Sequence, residues 1–328
     1  MPDGGCHIGP PKLKVWRASR TLTSCAYRGS LAVSAVIETL QFEQGPLTFS
    51  AQALGSGPVV LCLHGFPDNA GSFRHQLPAL ADAGYRAISL TLRGYEPSSI
   101  PADGDYSMEA VAEDVVALIR GLGTGPVHLV GHDWGAAIAY NAAAAAPECF
   151  LSLTTMAVPH AGRFARDGLR ILKQLRLSWY MGFFNIPWLS DWVVQRQDYA
   201  FIRKLWRDWS PGWCPEPHAL ESVVDTLSQP GVRTAALGYY RAALSLKALL
   251  VNQEEAHFKV PVPTLALSGE QDGCIASEVF EQLTVAEDFP AGVTFRRVPD
   301  AGHFLHQERP DTVNALILDW LREHHDGA

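Results

Sequence analysis

The sequence predicts an α/β fold: a mostly parallel sheet covered by helices on both faces and interrupted by a helical insertion. Three observations carry this. Short β-rich apolar runs alternate with helix-like stretches at both ends of the chain, as in buried parallel sheets. The alternation stops near His160 and resumes near Val262. The stretch between them has helical apolar spacing broken by Pro187, Pro211 and Pro215, and it holds six of the nine tryptophans.

The expected strands are Val59–Leu63, Arg86–Leu92, Val127–Val130, Leu151–Ala157, Thr264–Leu267 and Thr294–Val298. A helix-like stretch over Phe73–Ala83 is closed by Gly84, and Met108–Leu122 shows helical periodicity ending at Gly123, the residue type that most readily closes a helix. Residues 1–36 carry five basic residues against one acid, Asp3. That composition can mark a transit peptide, but a poorly ordered extension is the simpler expectation. The expected organisation is therefore an extension over 1–36, a core over 37–160 and 253–328, and a helical cap over 161–252. Trp179, Trp188, Trp192, Trp206, Trp209 and Trp213 are expected mostly as packing residues. A layer lying over a sheet needs an apolar underside, so a few of them should line a pocket.

With 328 residues the chain can bury a sizeable core. The formal net charge of −8 and the scattered basic residues argue against nucleic acid or an anionic membrane as main partner. No apolar run reaches the ~18 residues of a membrane span. Six dispersed cysteines without a CxxC pair fit free thiols in a reducing, cytoplasmic setting better than a disulfide framework or a zinc site. Neither a metal nor an organic cofactor is expected. A monomer or homodimer is equally compatible with the sequence.

The strongest chemical signal is Gly131-His132-Asp133-Trp134-Gly135, placed between a short apolar strand and an Ala-rich helix. Small residues two positions either side of Asp133 permit a sharp strand–turn–helix, the setting of a nucleophile elbow. An acid at a strand–helix junction is ordinarily just an N-cap, so the downstream residues decide the reading. A strand ending in Gly269-Glu270-Gln271-Asp272 and a second followed by Gly302-His303 supply an acid and a histidine in the order nucleophile, acid, histidine. Asp272 is preferred over Glu270 and Asp300 as the acid that orients His303. His64, His132, His160 and His306 are expected in structural roles. The loop Leu63-His64-Gly65-Phe66-Pro67 is placed to offer the Phe66 N–H, with the Trp134 N–H, as an oxyanion hole.

On His64-Gly65-Phe66-Pro67, Leu92-Arg93-Gly94-Tyr95, Gly131-His132-Asp133-Trp134-Gly135 and Gly302-His303-Phe304, the chain from about Glu38 onward resembles the epoxide hydrolases of the α/β-hydrolase fold. The resemblance implies an Asp133 nucleophile, an epoxide substrate, water as co-substrate, and two lid tyrosines that hold and protonate the epoxide oxygen. The Trp-rich insertion suggests that the epoxide is small and apolar or aromatic. Ser178-Trp179-Tyr180-Met181 and Gly238-Tyr239-Tyr240-Arg241 match those contexts, giving Tyr180 and Tyr240, with Tyr239 as the alternative to the second. Phe66, Trp134 and Trp179 are the expected substrate-contact side chains. Thr91 and Phe73 depart from the family pattern at positions where no chemistry is expected. A haloalkane dehalogenase would share the fold and the Asp, but it needs halide-binding N–H donors, and Phe66 stands where Asn is often used. A non-catalytic binding protein on a retired scaffold is the alternative of another class.

Overall fold

The computed structural model describes residues 17–19, 37–245 and 259–325. Among them a single nine-stranded sheet runs in the order β1-β2-β3-β5-β4-β6-β7-β8-β9. Its members are β1 (Arg17–Ser19), β2 (Glu38–Gln44), β3 (Leu47–Leu54), β4 (Val59–Leu63), β5 (Arg86–Leu90), β6 (Val127–His132), β7 (Phe150–Met156), β8 (Thr264–Gly269) and β9 (Val293–Val298). From β5 to β9 every neighbouring pair is parallel, while β1, β2 and β3 run antiparallel at one edge.

Each of the six expected strands is present, with ends differing by no more than two residues. The β2–β3 hairpin was not among them. Its Leu40, Phe42, Leu47, Phe49, Ala51 and Ala53 are buried at alternate positions around Gly45, which turns at φ +57°, so this edge follows the period-two rule of half-exposed strands. Most of the 1–36 extension, and the second boundary of the insertion near 252, lie outside the described residues. Within that extension Arg17–Ser19 pairs with β2 as an edge strand.

The central strands are buried on both faces and split their side chains between two cores. Val60 and Cys62 of β4 join Val130, Leu265 and Leu267 under α1 (Gln76–Asp82) and the last helix. Leu61 and Leu63 face Leu129, Leu153 and Ala266 on the side of α2 (Met108–Leu122) and α3 (Trp134–Ala145). Helix α2 keeps its expected bounds because its ends are chemically marked. The Ser107 hydroxyl accepts from the Ala110 N–H, and Gly123 closes the helix at φ +65°. The expected helix over Phe73–Ala83 is divided into a 3₁₀ turn, Ala70–Phe73, and α1.

Between β7 and β8 the described chain is helical: α4 (Ala161–Asp167), α5 (Leu172–Leu177), α6 (Trp179–Phe184), α7 (Leu189–Trp209), α8 (Pro217–Ser228) and α9 (Val232–Ala243). Helix α7 is broken at Arg196–Tyr199, three of whose four residues have left-handed backbone angles. The sheet side is completed by α10 (Ser277–Leu283), α11 (Leu305–Glu308) and α12 (Pro310–Glu323). The insertion is tied to the core by polar contacts at its edges. Arg163 donates two hydrogen bonds to buried Asp288, Trp206 Nε1–H donates to the Pro67 carbonyl, and the His303 and Gly273 amides donate to the Trp209 carbonyl.

The strand order reverses at β4, which lies between β5 and β6. In open α/β sheets the crevice beyond the strand C-termini at such a reversal is where ligands bind. Close packing there leaves no room for side chains on the turn glycines. A Cβ on Gly135 would lie 2.1 Å from the Leu63 carbonyl oxygen. Gly135→Ala is therefore expected to cost about 1–3 kcal/mol or more of stability, read from urea unfolding; an unchanged midpoint would contradict this packing.

Candidate active site

Asp133 follows β6 and precedes α3 with φ 53° and ψ −120°, outside the regions that side-chain-bearing residues normally adopt. Such strain persists only where the surroundings over-determine it. Here the Asp133 amide donates to the Met156 carbonyl, and Gly65 and Gly135 let the neighbouring backbone close in. The carboxylate does not cap its own helix. Instead Oδ1 accepts the Phe66 N–H at 2.7 Å, and the residue is 5% exposed. Trp134 begins α3, so its N–H is one of the helix-start donors without an intrahelical partner. Of the two expected oxyanion-hole amides, that of Phe66 is hydrogen-bonded to the Asp133 side chain, and that of Trp134 follows Asp133 directly in the chain.

His303 lies on the loop after β9. Gly302 precedes it because a Cβ there would press within 2.5 Å of the Ser210 Cα at the end of α7. Its Nδ1 is 3.0 Å from Asp272 Oδ2, and Asp272 Oδ1 accepts the Cys274 and Ile275 amides at 2.7 and 2.9 Å. This leaves Nε2 facing Asp133 Oδ2 at 3.5 Å, buried and without a hydrogen-bond partner among the described residues. Glu270 and Asp300, the competing acids, are exposed.

The imidazole is held well above its usual titration range. Burial opposes that, but the Asp272 carboxylate and the contact with Asp133 outweigh it. His64, His132, His160 and His306 are buried in structural contacts. His64 Nε2 accepts the Leu92 N–H, and His132 Nε2 meets the His303 carbonyl oxygen at 2.9 Å. The Arg163 amide donates to His160 Nδ1, and His306 Nε2 pairs with Ser72 at 2.7 Å.

Two tyrosines descend from the helical insertion toward Asp133. Tyr180 on α6 and Tyr240 on α9 are buried, their rings 5.7 Å apart. The Tyr240 ring also meets Phe66 at 5.3 Å and Trp134 at 5.0 Å. The Tyr180 hydroxyl contacts Cys274 Sγ at 3.1 Å, whereas the Tyr240 hydroxyl has no hydrogen-bond partner among the described residues. Burial foremost, with the Asp133 charge adding to it, pushes both phenols well above their ordinary titration point, so both keep their protons at neutral pH. Tyr239, the alternative, is engaged elsewhere: its hydroxyl donates to the Arg93 carbonyl at 2.8 Å.

Among known proteins, a family model described as the α/β hydrolase fold matches residues 58–310. Epoxide hydrolase 3 of Xenopus tropicalis is 34% identical over 274 residues, spanning 81% of this chain and 72% of that protein. Epoxide hydrolase 4 of Homo sapiens is 32% identical over 272 residues, 81% of this chain and 73% of that one. The chain belongs to the epoxide hydrolase family of the α/β-hydrolase fold. A solved epoxide hydrolase of Bacillus megaterium, in complex with an inhibitor, superposes on this family member with a TM-score of 0.75 at 27% identity, covering 86% of this chain and 99% of that one.

Two features of this epoxide hydrolase family member depart from the sequence expectations. Trp179, expected against the substrate, is 51% exposed and meets Phe183 and Phe201 instead. The cause is helical geometry: neighbouring residues on α6 point about 100° apart, so turning Tyr180 inward turns Trp179 out. Trp188 and Trp192 are likewise exposed, at 88% and 54%, so half of the insertion's tryptophans are surface residues rather than packing. The second feature is Cys274, which no motif singled out. It is fully buried, lies two residues beyond Asp272 and touches Tyr180. Its nearness to a candidate acid was visible in the sequence, but the side it faces was not.

Proposed function

We propose that this chain hydrolyses epoxides to vicinal diols by two displacements, the first on carbon and the second on an ester. The observation that carries the reading is the line Asp272, His303, Asp133 with the Tyr180 and Tyr240 phenols buried opposite it. Asp133 attacks one epoxide carbon. The C–O bond breaks, and its oxygen takes a proton from a phenol, giving a hydroxyalkyl ester of Asp133 and a phenolate. When the ester is later hydrolysed, the diol oxygen leaves with the proton held by His303, and the acid proton released from Asp133 restores the phenol. Two O–H donors meet the oxygen as its charge develops, which is where stabilisation lowers the barrier. A halide leaving group needs no proton, so a pair of protonated phenols favours an epoxide over a haloalkane.

Water then attacks the ester carbonyl, with His303 taking its proton and the Phe66 and Trp134 amides receiving the oxyanion. Esterification removes the Asp133 charge, one of the groups that raise the proton affinity of His303. The imidazole is therefore a poor base in the resting protein and a better one once the ester exists. The rate of ester hydrolysis should rise with pH and level off, since only neutral His303 accepts a proton. Its inflection is expected below the resting-state titration of His303 followed by NMR. Coincident values would contradict this coupling.

The direct test is diol formation from styrene oxide, an aromatic epoxide suited to the aromatic surroundings of Asp133, by wild type and by tyrosine variants. Tyr180→Phe and Tyr240→Phe are each expected to lower the rate of alkylation by about 10²-fold, the scale for losing one donor to a developing oxyanion, with a larger loss for the pair. Full activity in the double variant would remove the phenols from the mechanism.

A further inference from the structure

We propose that Asp133, His303 and Cys274 together form a binding position for a thiophilic divalent cation such as zinc, and that occupancy switches the site off reversibly. One Asp133 carboxylate oxygen, one His303 ring nitrogen and Cys274 Sγ all lie within 4.8 Å of one another, and all three residues are buried. His303 Nε2 and Asp133 Oδ2 are 3.5 Å apart. Tetrahedral zinc, with bonds of about 2.0–2.3 Å, sets neighbouring donors roughly 3.3–3.8 Å apart, so this edge has the required length and a small swing of the Cys274 side chain completes the triangle.

Further observations point at a ligand. His303 Nε2 is wholly buried with no hydrogen-bond partner among the described residues. Asp133 Oδ1 is engaged by the Phe66 amide, which leaves Oδ2 toward the histidine. The Asp272 carboxylate accepts the Cys274 amide and also contacts His303 Nδ1, so one group orients both the loop bearing the thiol and the imidazole. Imidazole and thiolate with a single carboxylate select zinc-like ions over magnesium or calcium, and three protein donors leave a fourth position for water.

Binding forms metal bonds to the carboxylate oxygen, the imidazole nitrogen and the sulfur. It releases the thiol proton, and any proton on His303, to solvent, so affinity should rise with pH. The ion would occupy the oxygen and nitrogen that the hydrolytic reading uses. Inhibition therefore rests on that reading, whereas binding rests on the geometry alone.

Cobalt is the first probe, titrated into the full chain. Wild type should show thiolate-to-cobalt charge-transfer absorption in the near ultraviolet. Cys274→Ser and Cys274→Ala should lose it, and Cys214→Ser, which alters an exposed thiol, should keep it. Circular dichroism verifies the fold of each variant. Zinc affinity should fall by about 100-fold or more in Cys274→Ser, beyond the loss usual for removing a group that merely supports a ligand. The zinc inhibition constant for styrene oxide turnover, each variant referred to its own zinc-free rate, should rise in step and be relieved by EDTA. A missing band in wild type, or a band and zinc affinity unchanged in both Cys274 variants, would overturn the site. Cys274-dependent binding with undiminished turnover would overturn the inhibition and count against Asp133 as nucleophile, leaving the metal site in place.

Discussion

Asp133→Ala should reduce epoxide turnover by roughly 10⁴-fold or more, the scale seen when a covalent nucleophile is removed from a group of residues that act as a unit. The loss should appear in the first turnover as well as at steady state, because without the carboxylate no ester forms. The substitution should leave the fold intact, since the side chain satisfies one amide and caps nothing. Alanine still has to hold φ 53° at this turn, so thermal unfolding of the variant is the control. A folded Asp133→Ala protein with ordinary turnover would remove the aspartate from the chemistry.

His303→Gln should separate the two displacements. Alkylation of Asp133 needs no base, so the variant should give a burst of epoxide consumption stoichiometric with enzyme, followed by near silence. The second step should slow by about 10²–10⁴-fold, the range attributed to general base catalysis. Mass spectrometry of the quenched protein should find the hydroxyalkyl group on the Asp133 peptide, where wild type under the same conditions carries little. Tyr180 and Tyr240 keep their positions in this variant because their contacts are with Phe66, Trp134, Phe184, Trp209 and Cys274 rather than with His303. Uninterrupted diol release by His303→Gln would mean that another group activates the water.

What could be read in the chain divides along physical lines. The elbow was legible because Gly131 and Gly135 leave no alternative: Cβ atoms there would meet carbonyl oxygens at 2.4 and 2.1 Å. The central strands were legible because burial on both faces demands unbroken apolar runs. The β2–β3 hairpin carried a weaker signal, since alternation with polar residues over seven positions competes with many loop patterns, although Gly45-Pro46 marked its turn. Within the insertion, motif context singled out Tyr180 but could not fix which neighbour faces inward, and Trp179 was misplaced for that reason. Cys274 was invisible because its contact with Tyr180 spans 94 positions of sequence and depends on how the insertion docks.

The central claim is that the oxygen added to the epoxide comes first from Asp133 and not from bulk water. It is tested most directly by a single turnover of excess enzyme with styrene oxide in water enriched in heavy oxygen, followed by mass spectrometry of the diol and of the Asp133 peptide. Unlabelled diol, with the label appearing in the Asp133 carboxylate, is the predicted result. Labelled diol with an unlabelled Asp133 peptide would mean direct attack by water and would contradict the account.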